Sequence, residues 1–417
     1  MSEAVNEICP HAGICGGCAY NNIPYEDQLA IKMDAVQGHL AANNIVVRPV
    51  DIRPIRQTSA LYGYRNKMEY SFGDEVKDGP MTLGMHKSGS YMSVINTTGC
   101  LLVPQSFNVI HAAVLDWALA SGYSFHHKRT HHGFLRNLVL RCGVRTGEIL
   151  VNLVTSSEDE LDEALFSDLI LGLGVEGVVG ILHTINDRRS DVVAVDSVRV
   201  LYGRDHYFDE MLGMRFRVGA FSFFQTNIEA VESMMAEAAA LIPGQARDDR
   251  GGAAVVTPGA AVVTPGADPG STLYDIYCGT GTIALALSGS VGRAIGIELI
   301  EDSVTSAREN ARLNGITNCE FVCGDALEVL ESAAERGLPA PDLITVDPPR
   351  MGLHPKALKR VIAYGLPRIL YVSCNPKTFA ENMAVMQNAG YRLAALGVYD
   401  NFPFTKHTEL VGLIERS

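Results

Sequence analysis

The sequence predicts an α/β protein: a doubly wound, Rossmann-like parallel sheet in the C-terminal half, preceded by an α+β domain rich in antiparallel sheet. Three observations predict it. From Thr272 onward, short apolar runs (LYDIYCG, AIGIELI, CEFVCGD, LITVDPP, RILYVSCNP) alternate with helical patterns, as strands buried on both faces require. The polar residues that close these runs are Asp275, Glu298, Asp325, Asp347 and Cys374, spaced by 23, 27, 22 and 27 residues, each about one strand plus one helix. Ligands bind such sheets at the carboxyl ends of the strands, so these five form a series of candidate site residues. Upstream, alternating segments such as Leu135–Leu140 and Ile149–Val154, with frequent Gly, read as twisted antiparallel sheet. An acidic stretch at 156–163 marks a helix start after them. Two domains are expected, 1–215 and 216–417, with 21–52 expected to pack on the second.

Between the halves, residues 244–271 contain the tandem GAAVVTP repeat at 252–265 and have no face to bury. They read as a disordered surface insertion before the first strand of the parallel sheet.

The chain has 417 residues, 34 Lys+Arg and 47 Asp+Glu, for a net charge of −13. That balance excludes a protein basic overall, but residues 50–145 carry eleven Lys/Arg against six Asp/Glu. A local positive surface suffices for nucleic acid, because phosphates respond to the local field. The opening MSEAVNEICP lacks a charged n-region and an apolar h-region, so no signal peptide is read. With no apolar run near ~18 residues, a cytoplasmic protein without membrane contact is expected, and a monomer. Nine cysteines in a reducing compartment point to metal ligation, catalysis or inert core thiols rather than disulfides.

Four motifs carry chemistry. Cys9, Cys15, Cys18 and the remote Cys100 form C-x5-C-x2-C-x81-C, with Gly13, Gly16 and Gly17 permitting a tight wrap. Three clustered thiols plus one distant thiol favour an iron–sulfur cluster over zinc, which stays the alternative. The segment Asp275–Thr282, DIYCGTGT, runs from strand through a glycine turn into a helix. With Ala284 it reads G-x-G-x-x-A, followed by the acid Glu298, a geometry shared by NAD and S-adenosylmethionine sites. Asp347-Pro-Pro-Arg350 makes a stiff loop of the kind nucleobase methyltransferases use, and Arg350 in place of an aromatic argues against adenine-amino chemistry. Cys374, in Ser-Cys-Asn-Pro, faces the cleft from a polar turn expected to favour its thiolate, whereas Cys142, Cys278, Cys319 and Cys323 read as inert core thiols. The His126–His132 run, HHKRTHH, has basic neighbours and reads as a solvated, phosphate-touching loop rather than a metal site.

These motifs together resemble the RNA (uracil-5-)-methyltransferase family over nearly the whole chain. The matching stretches are CPHAGICGGC with Cys100, YRNKMEY at 64–70, FFQTN at 223–227, DIYCGTGT, DPPR, SCNP and the terminal FPFTKHTE at 402–409. The resemblance implies a [4Fe–4S] cluster on Cys9, Cys15, Cys18 and Cys100, making 1–215 an iron–sulfur and RNA-binding domain and 216–417 the catalytic domain. It implies S-adenosylmethionine contacts at Gln225, Tyr277, Thr282, Glu298, Asp325 and Asp347, a nucleophile at Cys374 and a general base at Glu409, with His407 expected to tune it. Many members begin with a small RNA-binding β-barrel; with the first of these cysteines already at position 9, that module is not expected here, and RNA affinity is expected from the positively charged sheet domain and the cleft. The implied activity is methylation of a uridine at carbon 5, with 23S ribosomal RNA favoured over the transfer-RNA T-loop as partner. Competing readings are RNA cytosine-5 methylation, against which Pro348 and Pro349 stand where a second cysteine is usual, NAD-dependent oxidation, and a non-catalytic iron–sulfur RNA chaperone.

Overall fold

The computed structural model describes residues 9–47, 52–58, 60–189, 196–240 and 268–417. A cysteine-bearing loop leads into helix α1 (Tyr25–Ala42). Strands β1 (Lys67–Asp74), β2 (Met81–His86) and β3 (Val94–Asn96) follow, then α2 (Gln105–Ser121), β4 (Leu135–Cys142) and β5 (Ile149–Thr155). Helix α3 (Glu163–Gly172), β6 (Val178–Ile185) and β7 (Ser197–Gly203) complete a seven-stranded sheet of order β3-β2-β1-β4-β5-β6-β7. The sheet is mixed rather than wholly antiparallel, because β5 and β6 pair in parallel. Parallel neighbours need a crossover, and α3 supplies it. Its start is fixed by Asp162, whose carboxylate accepts from the Leu165 N–H. Phe107, Ile110, Val114 and Trp117 of α2 and Phe166 and Ile170 of α3 bury against Tyr70, Leu138 and Val151 of the strands.

A hairpin, β8 (His206–Met211) and β9 (Met214–Gly219), and helix α4 (Ile228–Ala240) lead to the second sheet. That sheet is built from β10 (Asp268–Ile276), α5 (Thr282–Leu287), β11 (Val291–Glu298), α6 (Glu301–Leu313), β12 (Cys319–Cys323) and α7 (Ala326–Glu331). It continues with β13 (Leu343–Val346), α8 (Pro355–Ala363), β14 (Arg368–Ser373), α9 (Pro376–Asn388), β15 (Tyr391–Tyr399) and β16 (Glu409–Arg416). The order is β12-β11-β10-β13-β14-β16-β15; the first five strands are parallel and β16 runs antiparallel to both neighbours. The chain reverses direction of growth between β10 and β13, the switch point where a cleft opens.

Strand β10 starts at Asp268, which pairs with Val291, so residues 268–271 belong to the sheet rather than to the insertion expected over 244–271. The GAAVVTP repeat lies outside the described residues. The 215/216 division falls inside β9, and the hairpin buries Tyr207, Met211, Phe216 and Val218 in the core of the second sheet, with α4. The N-terminal segment also reaches that sheet. Val36 and Leu40 of α1 pack with Phe379 and Met383 of α9, and Ile52 and Arg56 bridge to Leu396 and Tyr399 beside β15.

Candidate active site

Two adjacent strand ends form the floor of the cleft. At the end of β10 the chain turns through Tyr277, which has φ 67°, Gly279 at 55° and Gly281 at 84°. A Cβ on Gly281 would lie 2.9 Å from the Phe321 ring, so the helix start can approach β12 only because this residue is glycine. Glu298 ends β11 and braces the turn: one carboxylate oxygen accepts from the Gly279 N–H at 3.1 Å, the other from the Ile300 N–H at 2.9 Å. Asp325 caps α7, where one of its oxygens accepts from the Leu327 and Glu328 N–H groups. Tyr277 lies in the field of both acids, and its phenol is raised by burial first and then by Asp325 and Glu298. Thr282 is buried as the first residue of α5, and Gln225 is half-buried between β9 and α4, its carbonyl accepting from Asn66 Nδ2. Phe223, two residues earlier, is 62% exposed beside Gly279, and sequence reasoning gave it no role of its own.

Asp275 does not reach the cleft. It sits inside β10, fully buried, accepting from the Ala284 N–H at 2.9 Å and the Thr345 hydroxyl at 2.7 Å. It ties the glycine turn to β13, a structural anchor at the first position of the expected series.

On the other side of the cleft, β14 ends at Ser373 and β16 begins at Glu409, with Ser373 paired to Leu410. One step further in the same register sets Cys374 opposite Glu409. Opposed residues of an antiparallel pair share a face, with Cβ atoms about 5 Å apart. Burial pushes the Cys374 thiol up to about 11; Glu409 and Asp347 push it further, and Arg350 pulls it down. The expectation that the turn would favour the thiolate is therefore corrected: the half-buried site favours the thiol. Burial, helped by Asp347, raises Glu409 to about 8, again opposed by Arg350, and burial raises Asp347 to about 7. Asn375 Nδ2 donates to the Arg350 carbonyl at 2.8 Å, which locks DPPR to SCNP. His407, expected to tune Glu409, is engaged by Arg350, which is itself among the groups that shift Glu409. Arg350 donates to its ring at 2.8 Å, and burial, Arg350, Lys32, Arg65 and Lys406 lower it to about 4, so it stays neutral.

The four motif cysteines converge although Cys100 is far off in sequence. Cys9, Cys15, Cys18 and Cys100 line one cavity with His11, Asn21, Tyr62, Met85 and Thr97. Burial raises Cys18 to about 12, and Cys15, Cys100 and Cys9 each raise it further, as thiols within mutual reach do. The loop is anchored by backbone bonds from Gly16 N–H to the His86 carbonyl and from Ser88 N–H to the Ile14 carbonyl.

Of the cysteines read as core thiols, Cys142 and Cys278 are buried, while Cys319 and Cys323 are half-buried at the outer edge of the sheet. The HHKRTHH run is a hairpin in which His127 bridges His132. Distant in sequence but adjacent in space, Glu158 accepts from His132 Nδ1 at 2.7 Å. An open depression beside α6, lined by Arg308, Arg312, Gly315 and Thr317, lies at the amino end of β12, opposite the strand ends that carry the chemistry. No described helix is long and apolar enough to cross a membrane.

Comparison with known proteins agrees with this geometry. A family model described as tRNA (Uracil-5-)-methyltransferase matches residues 261–417. An RNA methyltransferase of Caldanaerobacter subterraneus is 39% identical over 425 aligned positions, covering 99% of this chain and 85% of its own. One from Clostridium tetani is 40% identical, covering 97% and 82%. The crystal structure of Pyrococcus abyssi tRNA (uracil-54, C5)-methyltransferase with S-adenosyl-L-homocysteine superposes with a TM-score of 0.72 over 96% of this chain and 86% of that one. At 23% identity that likeness speaks for the fold, a methyltransferase α/β sheet. Full-length similarity at this level makes the chain an RNA methyltransferase, and it belongs to the RNA (uracil-5-)-methyltransferase family.

Proposed function

We propose that the protein methylates carbon 5 of a uridine in structured RNA, with 23S ribosomal RNA as substrate, through a covalent adduct between Cys374 and carbon 6. The observation that carries this reading is the pairing of β14 with β16, which sets a thiol and a carboxyl side by side at the strand ends. Adjacent ring carbons of uracil need this pair of groups. Carbon 5 is a poor nucleophile until a thiolate bonds to carbon 6 and pushes the double-bond electrons toward carbon 5. After carbon 5 has gained a methyl group, a base must take its hydrogen as a proton. The electron pair then reforms the double bond and expels the thiolate.

S-adenosylmethionine, when bound, supplies the methyl group. The residues that would hold it are Gln225, Tyr277, Thr282, Glu298, Asp325 and Asp347 around the glycine turn. They fit: the turn has the positive φ values that bring backbone close to a ligand, and Asp325 uses one oxygen as a cap, leaving the other as an acceptor. Cys374 acts as nucleophile through its thiolate, the form that Arg350 favours, its proton having passed to water. Glu409 acts as base, its raised pKa near the working pH suiting proton transfer. The target base must leave any helical stack to reach these groups, which favours a loop uridine.

Cys9, Cys15, Cys18 and Cys100 would hold a [4Fe–4S] cluster that shapes the RNA-binding domain. Among the described residues no three His, Cys, Asp or Glu side chains gather as one metal ion requires. Four thiols around a shared cavity suit a cubane better, since each binds a different iron. The ribosomal reading draws on the family resemblance of the sequence. The transfer-RNA reading draws on the description of the family model.

Glu409→Gln should attack and accept the methyl group, then stall, giving a slow-migrating RNA-linked band that carries label from the methyl donor. Cys374→Ala and the double variant should give no band. An unlabelled band, or normal turnover of Glu409→Gln, would overturn the assignment. Mapping 5-methyluridine in total RNA with and without the gene decides between ribosomal and transfer RNA.

A further inference from the structure

We propose that Phe404 and the buried Lys32–Asp400 pair are positioning residues for Glu409, through which α1 and the cysteine-bearing loop govern the elimination step. The inference rests on Glu409 being the base. The backbone of β16 is fixed by its ladder with β14 from Leu410 onward and by its ladder with β15 from Glu409 itself, which pairs with Tyr399. The approach to Glu409, residues 400–408, is neither helix nor strand, so something else must hold it.

What holds it comes from four separate parts of the chain. Lys32 of α1 donates to Asp400 at 2.5 Å and to the Phe402 carbonyl at 3.1 Å, with both charged side chains buried. Gln28, also of α1, accepts from the Phe404 N–H at 2.9 Å. The Tyr20 N–H, just past the cysteine loop, donates to the Phe404 carbonyl at 2.9 Å, and the Tyr64 hydroxyl donates to the Pro403 carbonyl at 3.1 Å. Asn227 Nδ2 donates to the Asn401 carbonyl at 2.9 Å. At the centre is Phe404, buried at φ 65°, a conformation that an aromatic residue keeps only when its surroundings impose it. Its ring stacks on Tyr62 at 5.0 Å and 12°, in a cluster that includes Tyr64, Leu102, Cys18 and Cys100.

Cys374 is held differently, by the SCNP turn and its bond to the DPPR loop, both within the catalytic sheet. Loosening the 400–408 loop therefore frays β16 at its first residue, Glu409, and leaves the nucleophile in place. In elimination the carbon 5–hydrogen bond breaks and its proton passes to the Glu409 carboxylate. Its electron pair reforms the double bond, and the carbon–sulfur bond breaks with its pair returning to Cys374. This is the step that a displaced Glu409 loses, whereas adduct formation and methyl transfer precede it.

Two variants test the assignment without unfolding the protein. Phe404→Gly removes the ring but keeps a residue at ease with positive φ. Lys32→Met with Asp400→Leu replaces the buried pair by apolar groups, which often leaves stability unchanged. Both should fold and bind S-adenosylhomocysteine, Phe404→Gly with a lower melting temperature, and form the methyl-labelled RNA adduct at the parental rate. Release of methylated RNA should slow by about ten- to a hundredfold, so the labelled band accumulates. Parental release, or equal losses in labelling and release, overturns the positioning role. A labelled band with Glu409→Gln but not with these variants does the same. No labelled band with Glu409→Gln overturns the base assignment and this inference with it.

Discussion

Cys18 in the N-terminal cavity and Cys374 in the cleft are both half-buried thiols, and burial is the first cause of the raised pKa of each. Their neighbours differ. Cys18 is surrounded by three more thiols, each of which makes its ionisation harder. Cys374 stands between two carboxyls that oppose its ionisation and one guanidinium that assists it. Arg65 eases the ionisation of Cys100, but burial and the neighbouring thiols outweigh it. A thiol opposed by two carboxyls and assisted by one arginine is weighted toward its protonated form with a cation at hand, which suits the proposed nucleophile that attacks and later leaves. On the proposed function, the same residue type serves permanence in one region and turnover in the other.

The largest effect that would break this contrast is in the cavity. Protein prepared without oxygen should be brown with about four irons per chain, and Cys18→Ser should lose the colour and the iron. Stoichiometric zinc without iron would place the cavity in another class. Next comes Arg350→Gln. Removing the cation that lowers Cys374 should cut the rate of adduct formation by about tenfold per pKa unit, read in the Glu409→Gln background where adduct persists. An unchanged rate would mean that the RNA, not Arg350, ionises the thiol.

A third test uses pH. Glu409 is raised to about 8 and works as a base only when ionised, so its competent fraction grows as pH rises through that value and shrinks below it. Single-turnover release should therefore fall by about tenfold per unit well below the pKa. Adduct formation in Glu409→Gln should show no break at that value and instead follow the ionisation of Cys374 toward about 11; release that stays flat down to pH 6 would assign the proton to another group. The smallest effect belongs to neither region. Deleting residues 252–265 should change turnover little, since shortening such a loop alters closure entropy by only about 1 kcal/mol. A large loss in a folded deletion variant would bring the repeat into contact with RNA.

Much of this was legible in sequence for a local reason. Strand, turn and helix follow one another within short stretches, so the apolar runs and their closing residues gave the parallel sheet, and SCNP and FPFTKHTE gave the thiol and the carboxyl. What stayed hidden depends on pairings that leave no local signature. Nothing near Asp275 says that its carboxylate turns inward to Thr345. Nothing near Arg350 says that it shares the field of Cys374, Glu409 and His407, which come from two other segments. The thiolate expectation failed because a polar turn in sequence is half-buried in space, and burial outweighs the one nearby cation. The 215/216 boundary crossed β9 because the hairpin's alternation resembles the preceding sheet while its buried face belongs to the following one.

The embrace between the first helix and the last loop also concerns how the protein is made. Lys32 and Asp400 are separated by 368 residues. At a translation rate of ~5–20 residues per second, α1 leaves the ribosome roughly 20–70 s before its partner. During that interval Val36 and Leu40, which finally pack on α9, have no native surface to cover them. The buried Lys32 lacks its counter-charge for as long. The N-terminal sheet can close early, since its strands are contiguous, but the catalytic sheet cannot be finished until the last residues emerge. The nascent chain thus carries an early-folding, cysteine-bearing half and a late-folding reactive half, and Glu409 reaches its place only when both ends of the polypeptide have met.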